Sequence, residues 1–187
     1  MKYLLLLGPV IFIAITTILG SMTQNYNHKD NYISELSLGK YGLYQKINFV
    51  ISGTLITGLC FMLSTYAQNQ IIRLGWYLGM VEGVSLILSG IWSTDFGLPE
   101  TTKTGRLHNF LYTVIAIPCM GAVYFVLGWG YRNIPIIWAV SWLIAVVSFV
   151  LYRYSKRIGL KNGTSQRIVV FAAIIWLEIL AFLTLLR

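Results

Sequence analysis

Apolar residues along this chain come in long unbroken runs, without helical stripes or strand-like alternation, and short polar stretches separate the runs. About 20 consecutive apolar residues cross a bilayer as a helix. On that scale the pattern predicts six spans: Tyr3 to Met22, Ile47 to Ala67, Ile71 to Trp92, Leu107 to Gly128, Ile134 to Tyr152 and Ile168 to Leu186. The expected fold class is all-α, a six-transmembrane-helix bundle with a short interfacial helix in the first loop. Residues 1–187 read as a single integral membrane domain. Buried helices of a soluble domain would carry a charged face opposite an apolar stripe, and these runs are apolar all round.

The first run follows Met1 and Lys2, as the h-region of a secretory signal would. It is longer than an h-region and lacks a small-x-small cleavage site, so it reads as a span. The connections Gln68 to Gln70 and Trp129 to Asn133 are barely long enough to turn, which predicts antiparallel hairpins on either side of them. The first loop (Thr23 to Lys46), the third (Ser93 to Arg106) and the fifth (Arg153 to Arg167) are longer and share the opposite side. They have no motif in common, so no internal repeat is expected.

Within the first loop, the stretch from Asp30 to Gly39 predicts a short helix. Asp30 is its expected cap, and Gly39 its expected left-handed end. Ile33 and Leu36 would then lie in the interface, with Ser34, Glu35 or Ser37 turned towards the bundle.

Composition agrees: 57% of residues are apolar and 11% charged, against about 25% charged in an ordinary soluble domain. The net charge of +8 is no nucleic-acid footprint, because the basic residues sit at helix ends. Lys2, Arg73, Arg132 and Arg187 fall on the side of the termini, whereas the other ten of the 14 basic residues fall in the first, third and fifth loops. By the positive-inside rule those loops are expected in the cytoplasm, in a multi-pass protein of the inner membrane. Arg153 to Lys161 supplies much of the excess, as a topological determinant first and an attraction for anionic lipid second. Cys60 and Cys119 lie inside apolar runs and read as packing residues.

Against that background the polar island from Ser93 to His108 is costly near lipid, and its clustering marks a candidate site. It holds an acid, Asp95, and a base, His108, at one boundary. In the third span Glu82, Ser85, Ser89 and Ser93 share a helical face, and in the fourth His108, Tyr112, Ile115 and Cys119 do the same. If those faces meet, a cavity opens towards the first and third loops, with Pro118 bending the fourth span beneath it. Glu82 and Glu178 are each nine positions from a charge on the terminal side, Arg73 and Arg187, which puts both roughly 13 to 14 Å deep. They read as a shared-proton pair, as polar anchors in a cavity, or as two structural carboxyls bonded to backbone or serine.

His108 with Asp95 is a candidate base and orienting acid, with Ser34 or Ser37 as nucleophile or clamp. None of these serines stands in a Gly-x-Ser-x-Gly elbow. Glu35, Glu82, Ser89, Ser93, Arg106, Tyr112 and Glu178 are candidate substrate-binding residues. The bland alternative pairs Asp95 with Arg106 or a helix cap and has His108 hold down the first loop. The chain has two histidines, His28 and His108, too few for a zinc site of ordinary ligand count. His28 reads as a solvated loop residue, and no metal or cofactor is expected.

Tyr26, the run Asp30-Asn31-Tyr32-Ile33-Ser34-Glu35-Leu36, Gly42, Asn48-Phe49 and Gly53 resemble the opening signature of the bacterial and archaeal membrane family catalogued as domain of unknown function 998. Ser89-Gly90-Ile91, Asp95, Thr104-Gly105 and Leu107-His108 resemble its second signature. The aromatic or proline that precedes the acid in that pattern is replaced here by Ser93-Thr94. The resemblance covers nearly the whole chain and implies six spans with a polar face shared by the first and third loops. It implies no reaction, and carries over Ser34, Glu35, Asp95 and His108 only.

The expected function is an inner-membrane protein whose interfacial polar cavity binds or processes a lipid or another amphiphile, with membrane lipids as its partners and no nucleic acid. One rival is a proton-coupled transporter or flippase using Glu82 and Glu178. Another is a non-catalytic partner subunit or sensor.

Overall fold

The computed structural model describes residues 2–95 and 101–186, with side chains from residue 4 onward. The middle of the polar island, 96–100, and the charged residue 187 lie outside the described residues. The helices are α1 (Lys2–Leu5), α2 (Leu7–Met22), a 3-10 helix (Ile33–Leu38), α3 (Gly42–Thr65), α4 (Gln70–Ile91) and α5 (Lys103–Phe110). A π-helical segment (Leu111–Ala116), α6 (Ile117–Gly130), α7 (Pro135–Tyr154) and α8 (Asn162–Leu185) follow.

Among the described residues, five helices are long and apolar enough to cross a bilayer: α3, α4, the continuous stretch Lys103–Gly130, α7 and α8. The expected first span differs. It is broken at Leu6, and α2 has 16 residues, a reach of about 24 Å against a hydrocarbon core of about 30 Å. Pro9 explains the break, because it has no N–H for the Leu5 carbonyl and its ring collides with that carbonyl in an unbroken helix.

Helices gain little hydrophobic energy by meeting inside a bilayer, so close backbone approach and polar contacts must hold the bundle. The α3–α4 hairpin shows the first device. A Cβ on Gly53 would stand 2.6 Å from the Gly83 carbonyl, and one on Gly83 would stand 2.9 Å from the Gly53 carbonyl. Thr57 Oγ1 donates to that same Gly53 carbonyl at 2.8 Å, and Asn69 caps α4 by accepting from Ile72 N at 2.9 Å.

The second device joins α2 to α3. Thr16, Gln45, Asn48 and Ser52 are all buried. Gln45 Nε2 and Asn48 Nδ2 donate to Thr16 Oγ1 at 3.3 and 3.2 Å, and Ser52 Oγ donates to Asn48 Oδ1 at 3.1 Å. The short helix is thereby tied into the bundle by hydrogen bonds instead of by length.

Helix α8 is fastened along its whole length. Tyr124 of α6 donates to the Ala173 carbonyl at 2.6 Å, Trp176 Nε1 to Ser141 of α7 at 2.8 Å, and the Tyr131 hydroxyl meets Thr184 at 2.9 Å. At its first turns the contacts go to the first loop. Gln166 Oε1 accepts from Ile33 N at 2.7 Å. Arg167 Nη1 reaches the carbonyls of His28 (2.6 Å), Asn31 (2.9 Å) and Gly163 (3.0 Å), while its Nη2 donates to the Tyr26 hydroxyl.

The structure overturns four expectations for the loop. Ile33 and Leu36 are buried in the bundle rather than spread in the interface, because the carbonyl and amide groups around them are held by α8. Asp30 caps nothing; it forms an exposed ion pair with Lys161 at 3.0 Å. The start of the 3-10 helix is instead served by Glu35, whose carboxylate accepts from Tyr32 N at 3.2 Å and Asn31 Nδ2 at 2.7 Å. Gly39 has φ −83° and ψ −172°, an extended end without left-handed backbone. His28 packs its ring on Gly20 of α2 and edge-on against Tyr26, so it is half-buried and not solvated.

Candidate functional site

Between α4, α6 and α8, under the first loop, lies a cavity of about 110 Å³. Its walls are mostly apolar, with Phe12, Phe49, Met120, Val170 and Leu177 among them. Its polar groups gather from separate elements: Glu82, Ser85 and Ser89 from α4, His108 and Tyr112 from the α5–α6 stretch, Ser34 from the first loop and Gln166 from α8. Of the two helical faces read from the sequence, Glu82, Ser85 and Ser89 meet His108 and Tyr112 in this cavity, whereas Ser93, Ile115 and Cys119 do not line it. A second cavity of about 160 Å³ opens beside it, lined by Ser34, Glu35, Thr94, Asp95, His108 and Asn109, and shares Tyr112 and Gln166 with the first.

The π segment sets the position of Tyr112. Ile117 N donates to the Tyr112 carbonyl, five residues back, and Pro118 leaves the Val114 carbonyl without its α-helical donor. The irregularity expected at Pro118 thus lies in the turn before it, where Tyr112 lines the cavity.

His108 is buried, with Nδ1 2.8 Å from the Trp92 carbonyl at the end of α4. A carbonyl only accepts, so Nδ1 carries a proton and donates it to Trp92. Asp95 lines the adjoining cavity with His108. Its own oxygens are engaged elsewhere: Oδ2 accepts from Thr101 N and Thr102 N, and Oδ1 from the Thr102 hydroxyl, each at 2.8 Å. Thr102 in turn caps α5 through Gly105 N at 2.9 Å. Those bonds, from Thr102 first, hold the Asp95 carboxyl below its ordinary range. The group that orients His108 Nδ1 is the Trp92 carbonyl, and Asp95 holds Thr101 and Thr102 ahead of α5.

Ser34 is half-buried and lines both cavities. Ser37 is buried and donates to the Ser34 carbonyl at 2.7 Å, which steadies the backbone that presents Ser34. Ser89 lines the first cavity while its hydroxyl donates to the Ser85 carbonyl at 2.9 Å. Ser93 is half-buried and Arg106 exposed, and neither lines the cavities described here.

The two intramembrane glutamates separate. Glu82 lines the apolar cavity with Oε1 shut off from solvent and without a hydrogen-bond partner among the described residues, and the Cys119 thiol lies beside its carboxyl. Glu178 is not in that lining, although its neighbour Leu177 is, so the side chain turns to another face of α8. Its Oε2 is likewise unpartnered among the described residues. Among those residues, too, no three His, Cys, Asp or Glu side chains converge as metal ligands would.

Gln166 and Arg167 are the site residues that the apolar pattern passes over. They fall just before the predicted start of the last span, where Arg167 counts only as a loop charge; α8 begins at Asn162 instead and makes them helical. The buried stripe Gln45, Asn48 and Ser52, at i, i+3 and i+7, was the legible signal for the α2–α3 contact, hidden because α3 starts before Ile47.

The outer faces complete the picture. Ile136, Leu143 and Phe149 of α7 are each more than 60% exposed, and Leu43, Ile91 and Phe182 on other helices at least 50%. A helical bundle that presents aliphatic side chains outward on helices of bilayer length is a multi-pass α-helical membrane protein. The chain belongs to the family described as Protein of unknown function (DUF998), which matches it over residues 6–183. Comparison with curated proteins and with solved structures gave no match.

Proposed function

We propose that this protein is a six-helix inner-membrane protein, with α1–α2 as its sixth spanning element, that binds a lipid or another amphiphile and acts on it or carries it. The observation that carries this reading is an apolar cavity within the helix bundle with polar groups drawn from four elements at its loop-side end: Ser34, His108, Tyr112 and Gln166. A volume of about 110 Å³ is of the order of the ~150 Å³ apolar cavity that admits benzene. It suits a segment of hydrocarbon chain, with the head at the loops. By the positive-inside rule those loops face the cytoplasm.

In an enzymatic version, His108 Nε2 is the base that takes a proton from the Ser34 hydroxyl or from a water beside it, with the Trp92 carbonyl fixing the ring. Asp95 then holds Thr101 and Thr102 ahead of α5, and Glu35 sets the backbone ahead of Ser34. The transporter reading has less support, because Glu82 and Glu178 do not share the cavity.

The test is mass spectrometry of the protein purified in mild detergent, alongside Ala116→Phe and Ser85→Leu, which fill the cavity. One enriched lipid class at about one per chain, lost in both filled variants at unchanged melting temperature, is the expected result. The same lipid retained by both variants would overturn the reading. His108→Ala that leaves turnover of the bound lipid intact would remove the enzymatic version alone.

A further inference from the structure

A third cavity, of about 170 Å³, lies where the ends of α7 and α8 meet the first loop, and the reading above makes no use of it. Its wall is basic and hydroxylic. Arg153 and Lys156 come from the end of α7 and the turn after it, Ser165 and Asn162 from the first turn of α8, and Tyr32 and Tyr152 close the sides. Neither Asp nor Glu lines it.

The neighbouring charges make that composition informative. Lys161 is neutralised by Asp30 at 3.0 Å, and Arg157 lies over the Tyr154 ring. Among the described residues no carboxylate pairs with Arg153 or Lys156. Both side chains are exposed at the rim, and two like charges at one concavity favour an anion between them. The first turn of α8, a helix of 24 residues, adds the positive end of its dipole to the same wall, although Thr164 N already donates to the Lys29 carbonyl at 2.9 Å.

Below the rim the wall turns apolar, through Ile117, Leu151 and Val169, and Tyr112 and Gln166 line both this cavity and the one assigned to the hydrocarbon chain. A phosphate at the rim and a chain below it match this order of groups. We propose that the Arg153–Lys156 pocket binds the phosphate group of an anionic amphiphile. The inference deepens the amphiphile reading and rests on it for the chain, while the anion site itself stands on the charges.

The full chain in neutral detergent is titrated with dioleoyl-phosphatidylglycerol, with dioleoyl-phosphatidylcholine as control, and separately with inorganic phosphate, following thermal stabilisation. Arg153→Gln with Lys156→Gln is expected to weaken the phosphatidylglycerol response roughly tenfold or more. Arg157→Gln with Lys103→Gln removes the same charge away from the pocket and should change it little. Equal weakening by the two doubles, or a lipid response untouched by the first, overturns the pocket and leaves the amphiphile reading standing. A phosphate response lost in the first double, without any lipid response, supports the anion site for a soluble phosphoester and sinks the amphiphile reading.

Discussion

Arg167 Nη1 donates to the main-chain carbonyl of Asn31 at 2.9 Å, across 136 positions of sequence. Through that bond, and the one from Ile33 N to Gln166, the last helix sets the height of the first loop and so the position of Ser34 over the cavity. Arg167→Ala should release the loop and destabilise the protein by roughly 3 kcal/mol, since hydrogen bonds to charged groups contribute about 1.5–3 kcal/mol each and do not add fully. Arg167→Lys should restore little, because one ammonium cannot reproduce the planar fork that spans Tyr26, His28 and Asn31. Tryptic cleavage after Lys29 reports the release, and a wild-type cleavage rate in Arg167→Ala would sink the idea.

The polar ladder between α2 and α3 predicts a graded series. Asn48 serves Thr16, Gln45 and Ser52. Asn48→Leu is expected to lower resistance to unfolding in detergent by about 1–2 kcal/mol, near the upper end for interhelical hydrogen bonds in membranes. Ser52→Ala should lose less than half of that. If Ser52→Ala proves the more damaging change, the ladder is not what holds α2.

Two glycines should behave oppositely. Gly83→Val places a side chain against Thr57 and the Gly53 carbonyl, and overpacking of this kind costs about 1–3 kcal/mol or more. Gly121→Ala meets nothing within 4 Å and should be neutral, or stabilising by up to about 1 kcal/mol through helix propensity. Melting temperatures of the pair, compared with wild type, provide the check.

Acid should loosen the loops in two separate steps. His28 is pushed below its ordinary value by burial first and by the Arg167 guanidinium second, with Tyr26 as its other close neighbour. The unfolded chain therefore takes up its proton more readily, and stability present above about pH 6.5 falls as pH drops below that value. His28→Gln should flatten this first slope in melting temperature. Asp95 is also depressed, by its bonds from Thr102 and Thr101. Its contribution is complete above about pH 3.9 and lost on further acidification. Asp95→Asn should abolish that second step, and an unchanged slope below pH 4 would count against the loop anchor.

Parts of the site were legible because a helical face is a local property. Glu82, Ser85 and Ser89 recur at helical spacing, as do His108 and Tyr112, and both sets line one cavity. Which group meets which was not legible. His108 finds the Trp92 carbonyl, a backbone group that no residue type announces, and the Asp95 oxygens go to amides six and seven positions ahead. Glu35 takes the capping role expected of Asp30, because the helix starts only at Ile33, with Tyr32 at its N-cap and Asp30 two positions ahead, paired with Lys161.

By itself the sequence determined that this chain is a bundle of membrane helices. A run of apolar residues long enough for the bilayer must satisfy its backbone internally, and needs no partner to do so. The rotation of each helix, the burial of Ile33 and Leu36, and the separation of Glu82 from Glu178 were decided only in the tertiary structure. Helices apolar on every side have no amphipathic face to orient them. Their facing is set by a few glycine contacts and polar clasps such as Gly53–Gly83, Asn48–Thr16 and Arg167–Asn31, whose partners lie on other elements.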